Sequence, residues 1–232
     1  MGNGLGWVAR RKSRAAAIAV AGVLALGLGS AALAATEIHV VPPNGKVAGT
    51  GYAYWLKRQW QLQFATTPPY PACQTMTVHG HKVGYLGIKS IAPATTKYKC
   101  SEPAGRPLYV IELSAECSTF HGDHLTFGTS NAQLIRCARA EFVGGTPTVT
   151  TTIDGHAVDV LKLVAATGAY PVHVPKNNVL GTNKPGTGRS AAYGPGLLLT
   201  GLARGTHVIH SVATVAQPVK AKWAYTWTVT VH

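Results

Sequence analysis

The chain has 232 residues, with 21 Lys and Arg against 8 Asp and Glu for a formal net charge of +13, and 46% of it is hydrophobic. That is enough for one domain with a real core, or one domain with a smaller annex. Beyond residue 35 the basic residues are scattered, Lys57-Arg58, Lys97/Lys99 and Lys220/Lys222 being the closest groupings, and no basic helix or aromatic-interleaved stripe occurs. The charge therefore argues against a nucleic-acid partner and for attraction to anionic surfaces such as cell-envelope polymers.

Residues 1–35 read as an export signal. Arg10, Arg11, Lys12 and Arg14 form a positive n-region, 15–31 an apolar h-region, and Ala32-Leu33-Ala34 a small-x-small cleavage signature. An uncleaved anchor is the alternative, since the apolar run approaches the roughly 20 residues that span a bilayer. The secreted β-rich domain is then expected over 36–232, as a helix-containing half (36–146) followed by sandwich-like strands (147–232). The four leader cations leave about +9 on that domain, from +13 − 4. All four cysteines, Cys73, Cys100, Cys117 and Cys137, follow the leader, and an even count in an exported chain implies two disulfides. Three pairings exist. Nearest-neighbour closure, Cys73–Cys100 and Cys117–Cys137, is favoured because it ties the flanking segments to both ends of the stretch between Cys100 and Cys117.

Within the domain, 36–41 alternates polar and apolar residues and reads as a first edge strand. Tyr52, Trp55, Leu56, Gln59, Trp60, Gln63 and Phe64 recur at i, i+3, i+4, i+7, i+8, i+11 and i+12. This spacing predicts a helix that lays an aromatic face on a sheet and ends before Pro68-Pro69. Segments 75–78 and 83–91 read as short strands about a glycine turn. Segment 108–113 reads as a buried strand around which the chain is organised, with Glu112 on a partly apolar face. A short second helix is expected from an N-cap at Thr129 or Ser130 to about Phe142, stopped by Gly144-Gly145.

After Pro147 come a hairpin, 148–153 and 156–161 about Asp154-Gly155, and strands at 168–174, 197–199, 206–213 and 223–231. Segment 181–196 is rich in Gly, Pro and polar residues and reads as a long loop, with Lys184, Arg189 and Tyr193 as candidate binding residues. The expected fold is mainly β with an α+β annex. It is a β-sandwich carrying one aromatic amphipathic helix and one short second helix, closed by two disulfides.

The Trp-x-x-x-x-Trp-Gln-x-x-Phe pattern of 55–64, the Gly-Tyr-Leu-Gly strand at 84–87 and Cys100-x-x-Pro-Ala-Gly-Arg-Pro-Leu-Tyr follow one another in order. An Ile-Asp-Gly hairpin, Asn177-Asn178-Val179 and Gly205-Thr206-His207 close the series. This order resembles a family of uncharacterised exported bacterial (actinobacterial-type) β-rich proteins with an aromatic helix preceding a Cys-x-x-Pro-x-Gly strand. The resemblance implies a secreted, disulfide-bonded β-rich fold. It supplies no activity, so no catalytic residue carries over. The chain departs from the family at Glu112 and Glu116, where apolar or amide residues are expected.

Two histidine groups could carry chemistry. His79-Gly80-His81 on a strand would send two imidazoles from one face about 7 Å apart, suiting one zinc or copper ion. His121 and His124, in His-Gly-Asp-His, could complete the ligand set. Glu112 and Glu116 share strand parity about 13 Å apart, a poor fit to the roughly 5 to 10 Å that paired glycosidase carboxyls need. A satisfied Glu112 paired with Arg106, Arg136 or Arg139 is preferred. Gly-x-Ser-x-Gly, phosphate-loop, dinucleotide and His-Glu-x-x-His patterns are absent. The leading expectation is an exported non-enzymatic domain, without a cofactor, that binds an envelope polymer or another exported protein. The alternative is a secreted zinc or copper enzyme using His79, His81, His121 and His124.

Overall fold

A computed structural model of the chain describes residues 38–120, 127–179, 184–216 and 220–232. The first elements are β1 (His39–Val40), α1 (Tyr52–Ala65), β2 (Cys73–Val78), β3 (His81–Leu86) and β4 (Thr95–Glu102). Next come β5 (Leu108–Ile111), β6 (Ala115–Ser118), α2 (Asn131–Gly144), β7 (Thr148–Ile153) and β8 (His156–Val158). A 3-10 turn at Val160–Leu163 leads to β9 (Val164–Ala166), β10 (Tyr170–Val174), β11 (Gly186–Thr200), β12 (Gly205–Val215) and β13 (Ala221–Val231). They form a β-sandwich of an eight-stranded and a five-stranded sheet with two helices.

The axis is β11, not the expected 108–113 strand. One of its edges pairs in succession with β10, β9 and β1, the other with β6 and β5, all antiparallel. Parallel pairing of β5 with β3 and antiparallel pairing of β3 with β2 complete the large sheet. The small sheet runs β4-β13-β12-β7-β8. Each sheet takes strands from both sides of residue 147, so the expected halves are interleaved. The expected 181–196 loop is a strand over 186–196.

In that segment glycine and proline make room instead of turning the chain. A Cβ on Gly196 would lie 2.7 Å from the Tyr109 ring, and one on Gly194 2.6 Å from the Ser114 side chain. Ile111 lies opposite Gly196 and Ala115 opposite Tyr193. Residues 112–114 therefore face only 194–195, a one-residue bulge. The Arg189 carbonyl bonds toward β6, so the odd residues of β11 point their backbone that way. The missing N–H of Pro195 thus falls on the bulge, where no ladder needs it.

Strand alternation fixes the layers. Phe64 of α1 packs with Tyr170, which lies opposite Ser190, while Leu134 and Ala138 of α2 pack with Cys117 and Ala191. Ser190 and Ala191 are neighbours on β11, so the two helices lie on opposite faces of the large sheet. On the α1 face Trp55 stacks on Tyr109 at 5.7 Å, and the Tyr109 hydroxyl donates to Gln59 Oε1 at 2.7 Å. The opposite side of β5 looks into the inter-sheet core, where Tyr98 stacks on Trp227 at 6.0 Å and Trp227 Nε1 donates to the Gly87 carbonyl. Each such fully buried large apolar side chain contributes about 1.5–3 kcal/mol.

α1 ends before Pro68-Pro69, and α2 starts at Ser130 and stops at Gly144-Gly145, as expected. The aromatic stripe buries Tyr52, Trp55, Leu56 and Phe64 of α1. Ser130 caps α2 in a capping box with Gln133, which satisfies first-turn donors from both sides. The disulfides are Cys73–Cys100 and Cys117–Cys137. The first joins β2 to β4, an edge of one sheet to an edge of the other; the second pins α2 to β6.

The β7–β8 turn holds a buttressed ion pair. Asp154 Oδ1 accepts from the Val208 amide at 2.7 Å, Oδ2 lies 2.7 Å from His207 Nδ1, and His207 Nε2 lies 2.9 Å from the Ala203 carbonyl. Both ring nitrogens thus face acceptors, which favours the imidazolium. Desolvation pulls the His207 pKa down, but the Asp154 carboxylate and the Ala203 carbonyl together outweigh it and leave it above 6.5. Because the folded value is the raised one, this pair stabilises fully below the unfolded pKa and is lost as pH rises through the folded one. An NMR titration is expected to place His207 above 6.5 and Asp154→Asn to lower it. A value at or below 6.5 in the unaltered protein would contradict the pairing.

Candidate functional site

The structure separates the residues that the metal reading brings together. Val78 pairs with His81 across a two-residue turn in which His79 has φ +47° and Gly80 φ +80°. Successive positive φ values are those of a type I′ hairpin turn. His79 is therefore the turn residue and His81 the first of β3, so the two do not share a strand face as expected. The His79 ring lies 6.4 Å from Tyr54, which also carries Lys57 Nζ 5.1 Å above its ring. His121 and His124 lie outside the described residues. Among the described residues no group of three His, Cys, Asp or Glu could hold a metal ion.

The two carboxylates are also parted. The bulge shifts parity by one residue, so Glu112 and Glu116 point to opposite faces of the large sheet instead of sharing one. Glu112, 4% exposed, faces the small sheet. Its Oε1 accepts from Thr151 Oγ1 at 2.9 Å and its Oε2 from Ser211 Oγ at 2.6 Å. Burial pushes its pKa up to about 7 against the opposing pull of those two hydrogen bonds. The expected arginine partner is not there: Arg106 pairs with Glu102 at 2.9 Å, and the Arg139 guanidinium sits 5.8 Å over the Tyr193 ring. On the other face, Glu116 Oε1 accepts from Ser190 Oγ at 2.5 Å, and that hydroxyl lies 3.1 Å from Tyr170 OH. Two buried carboxylates on opposite faces cannot flank one glycosidic bond.

Lys184, Arg189 and Tyr193 do not form one loop surface. Lys184 is exposed before β11. Tyr193 lies beneath α2, its ring 5.6 Å from Phe142. Arg189 borders an open groove of about 430 Å³ lined by Thr119, Phe127, Thr129 and Thr187. Its guanidinium donates to Asn131 Oδ1 at 2.6 Å and to the Thr129 carbonyl at 3.2 Å, and so fastens β11 to the start of α2. Gln133 Oε1 accepts from the Thr129 and Ser130 amides nearby, so the groove's α2 side is fastened by hydrogen bonds within the fold.

What stands out is the partition of charge. Among the described acids, Glu102, Glu112 and Glu116 are buried, Asp154 is held by His207 and Asp159 by Lys162, and Glu141 is engaged as well. By contrast Lys46, Lys82, Lys89, Lys97, Lys99, Lys176, Lys220 and Lys222 are exposed and form no ion pair among the described residues. Among the described residues three carboxylates are thus buried and two are ion-paired while these lysines are exposed, so that surface is more cationic than the count of charges along the sequence suggests. Sequence reasoning treated this charge as scattered because counting along the chain ignores which carboxylates face inward.

No family model matches the chain, and no curated protein matches it. Among solved structures, the solution structure of Amebosin is similar at 12% identity over 59% of this chain and 89% of that one, with a TM-score of 0.19. A likeness at that score carries no argument. No helix among the described residues is long and apolar enough to cross a membrane.

Proposed function

We propose that the chain is an exported, disulfide-stabilised, non-enzymatic domain that binds an anionic polymer of the cell envelope. The partition of charge carries this reading: the described carboxylates are buried or engaged, while eight lysines are exposed and form no ion pair among the described residues. The leader signature and the two disulfides suit an oxidising compartment outside the cytoplasm. The candidate acids support binding over catalysis, because Glu112 and Glu116 are buried among hydroxyls on opposite sheet faces.

Co-sedimentation with purified bacterial cell walls tests it. The protein is expected to pellet with walls at low salt and to stay in solution once their anionic polymers have been stripped. Equal pelleting before and after stripping would sink the proposal.

A further inference from the structure

Among the described residues no helix packs on the outer face of the small sheet: α1 and α2 pack on the large sheet, and Lys97, Lys99, Lys222 and Thr230 are exposed. Ladder register places its residues in rows. Lys97, Thr226, His210 and Thr152 form one row; Lys99, Thr228 and Val208 the next; Ser101, Thr230 and Thr206 a third. In the other direction lie Thr95, Ala224, Val212 and Thr150, then Lys222, Thr214 and Thr148. These rows hold nine threonines, one histidine, His210, whose Nδ1 lies 2.9 Å from Thr226 Oγ1, and no Asp, Glu, Phe, Tyr or Trp. Lys97 and Lys99 are two residues apart on one strand face, about 7 Å, and Lys222 stands two further rows beyond Lys97, about another 14 Å. The cations thus fall at multiples of one interval along the strands, beside hydroxyls one strand away.

We propose that this face is the docking surface for a linear polyol phosphate, with Lys97, Lys99 and Lys222 taking phosphates and Thr226, Thr228 and Thr230 donating hydroxyls beside them. The inference rests on the polyanion reading above and names its ligand class and surface. Charge complementarity selects a polyanion. The rows carry no Phe, Tyr or Trp, and their one ring, His210, is tied to Thr226, which selects against single-stranded nucleic acid, whose bases stack on a series of aromatic side chains. The same composition selects against a saccharide stacked on such a ring. A flexible chain with charges at a regular interval can follow Lys97 and Lys99 on β4 and reach Lys222 on the neighbouring β13, the three standing at multiples of that interval along the strand direction. Threonine suits the neighbouring positions because a β-branched side chain fits the pleat and presents its hydroxyl outward.

The test is a titration of the protein with synthetic poly(glycerol phosphate) at low salt. Lys97→Gln/Lys99→Gln is expected to weaken binding roughly ten- to thirty-fold, taking each surface lysine at about fivefold. Lys97→Glu/Lys99→Glu, which keeps the sheet edge charged, is expected to abolish it. Arg136→Gln/Lys176→Gln, equal in charge but off this face, is expected to change it less than twofold, with circular dichroism confirming that every variant folds. If the unaltered protein binds and Lys97→Gln/Lys99→Gln binds as tightly, this face is not the site and the general reading stands. If it pellets with walls but ignores poly(glycerol phosphate), the ligand class is wrong; if it does neither, both readings fall.

Discussion

Glu112→Gln is expected to stabilise the protein by about 3 kcal/mol at pH 8 and to change its stability little at pH 4. The carboxylate sits between the sheets with two hydroxyls as its partners and a pKa pushed up to about 7 by burial. In the unfolded chain it ionises near the ordinary 4.5. The sign follows from linkage: between those values the unfolded state loses its proton while the folded state keeps it, so stability falls as pH rises from 4.5 to about 7 and is level above. At about 1.4 kcal/mol per pKa unit the fall is about 3 kcal/mol. Glutamine keeps a carbonyl for one hydroxyl and offers N–H groups to the other oxygen, without a charge to desolvate. Urea denaturation of both proteins from pH 4 to pH 8 reads the difference directly. Parallel stability profiles would mean that Glu112 is not buried as described.

The disulfides should matter as much. Replacing both cysteines of either pair by alanine is expected to lower stability by about 3 kcal/mol, the chain-entropy value for loops of this size. The separations are 27 residues for Cys73–Cys100 and 20 for Cys117–Cys137. Losing both removes roughly 6–7 kcal/mol, comparable to the whole stability of an ordinary domain at about 5–15 kcal/mol. The fully reduced protein should therefore be largely unfolded at 37 °C. A denaturant midpoint unmoved by reductant would contradict this, provided mass spectrometry shows that both bridges opened.

The legible parts of the fold were those where a local signal and the tertiary contact agree. The aromatic spacing from Tyr52 to Phe64 is helical and also the face that α1 buries. The Ser130 cap and the glycines after Phe142 fix α2 from within the sequence. β11 was hidden because Gly194, Pro195 and Gly196 look like turn residues, whereas the reason for them is Tyr109 and Ser114, more than 70 residues away in sequence. The bulge at 112–114 was hidden for the same reason: nothing local marks it, yet it reverses the side of Glu116. β4 also carries a local strand signal. Thr95, Lys97, Lys99 and Ser101 alternate with Tyr98, Cys100 and Glu102, a half-buried strand. That same alternation, with Thr226, Thr228 and Thr230, could have located the cationic face.

The measurement closest to the central claim is the association constant for bacterial cell walls as a function of salt concentration. Binding by exposed lysines to a polyanion releases counterions, so the logarithm of the constant should fall linearly with the logarithm of salt. Neutralising Lys97 and Lys99 should flatten that slope by about two contacts. A constant that does not respond to salt would mean the walls are held by something other than charge, and the account would be wrong at its centre.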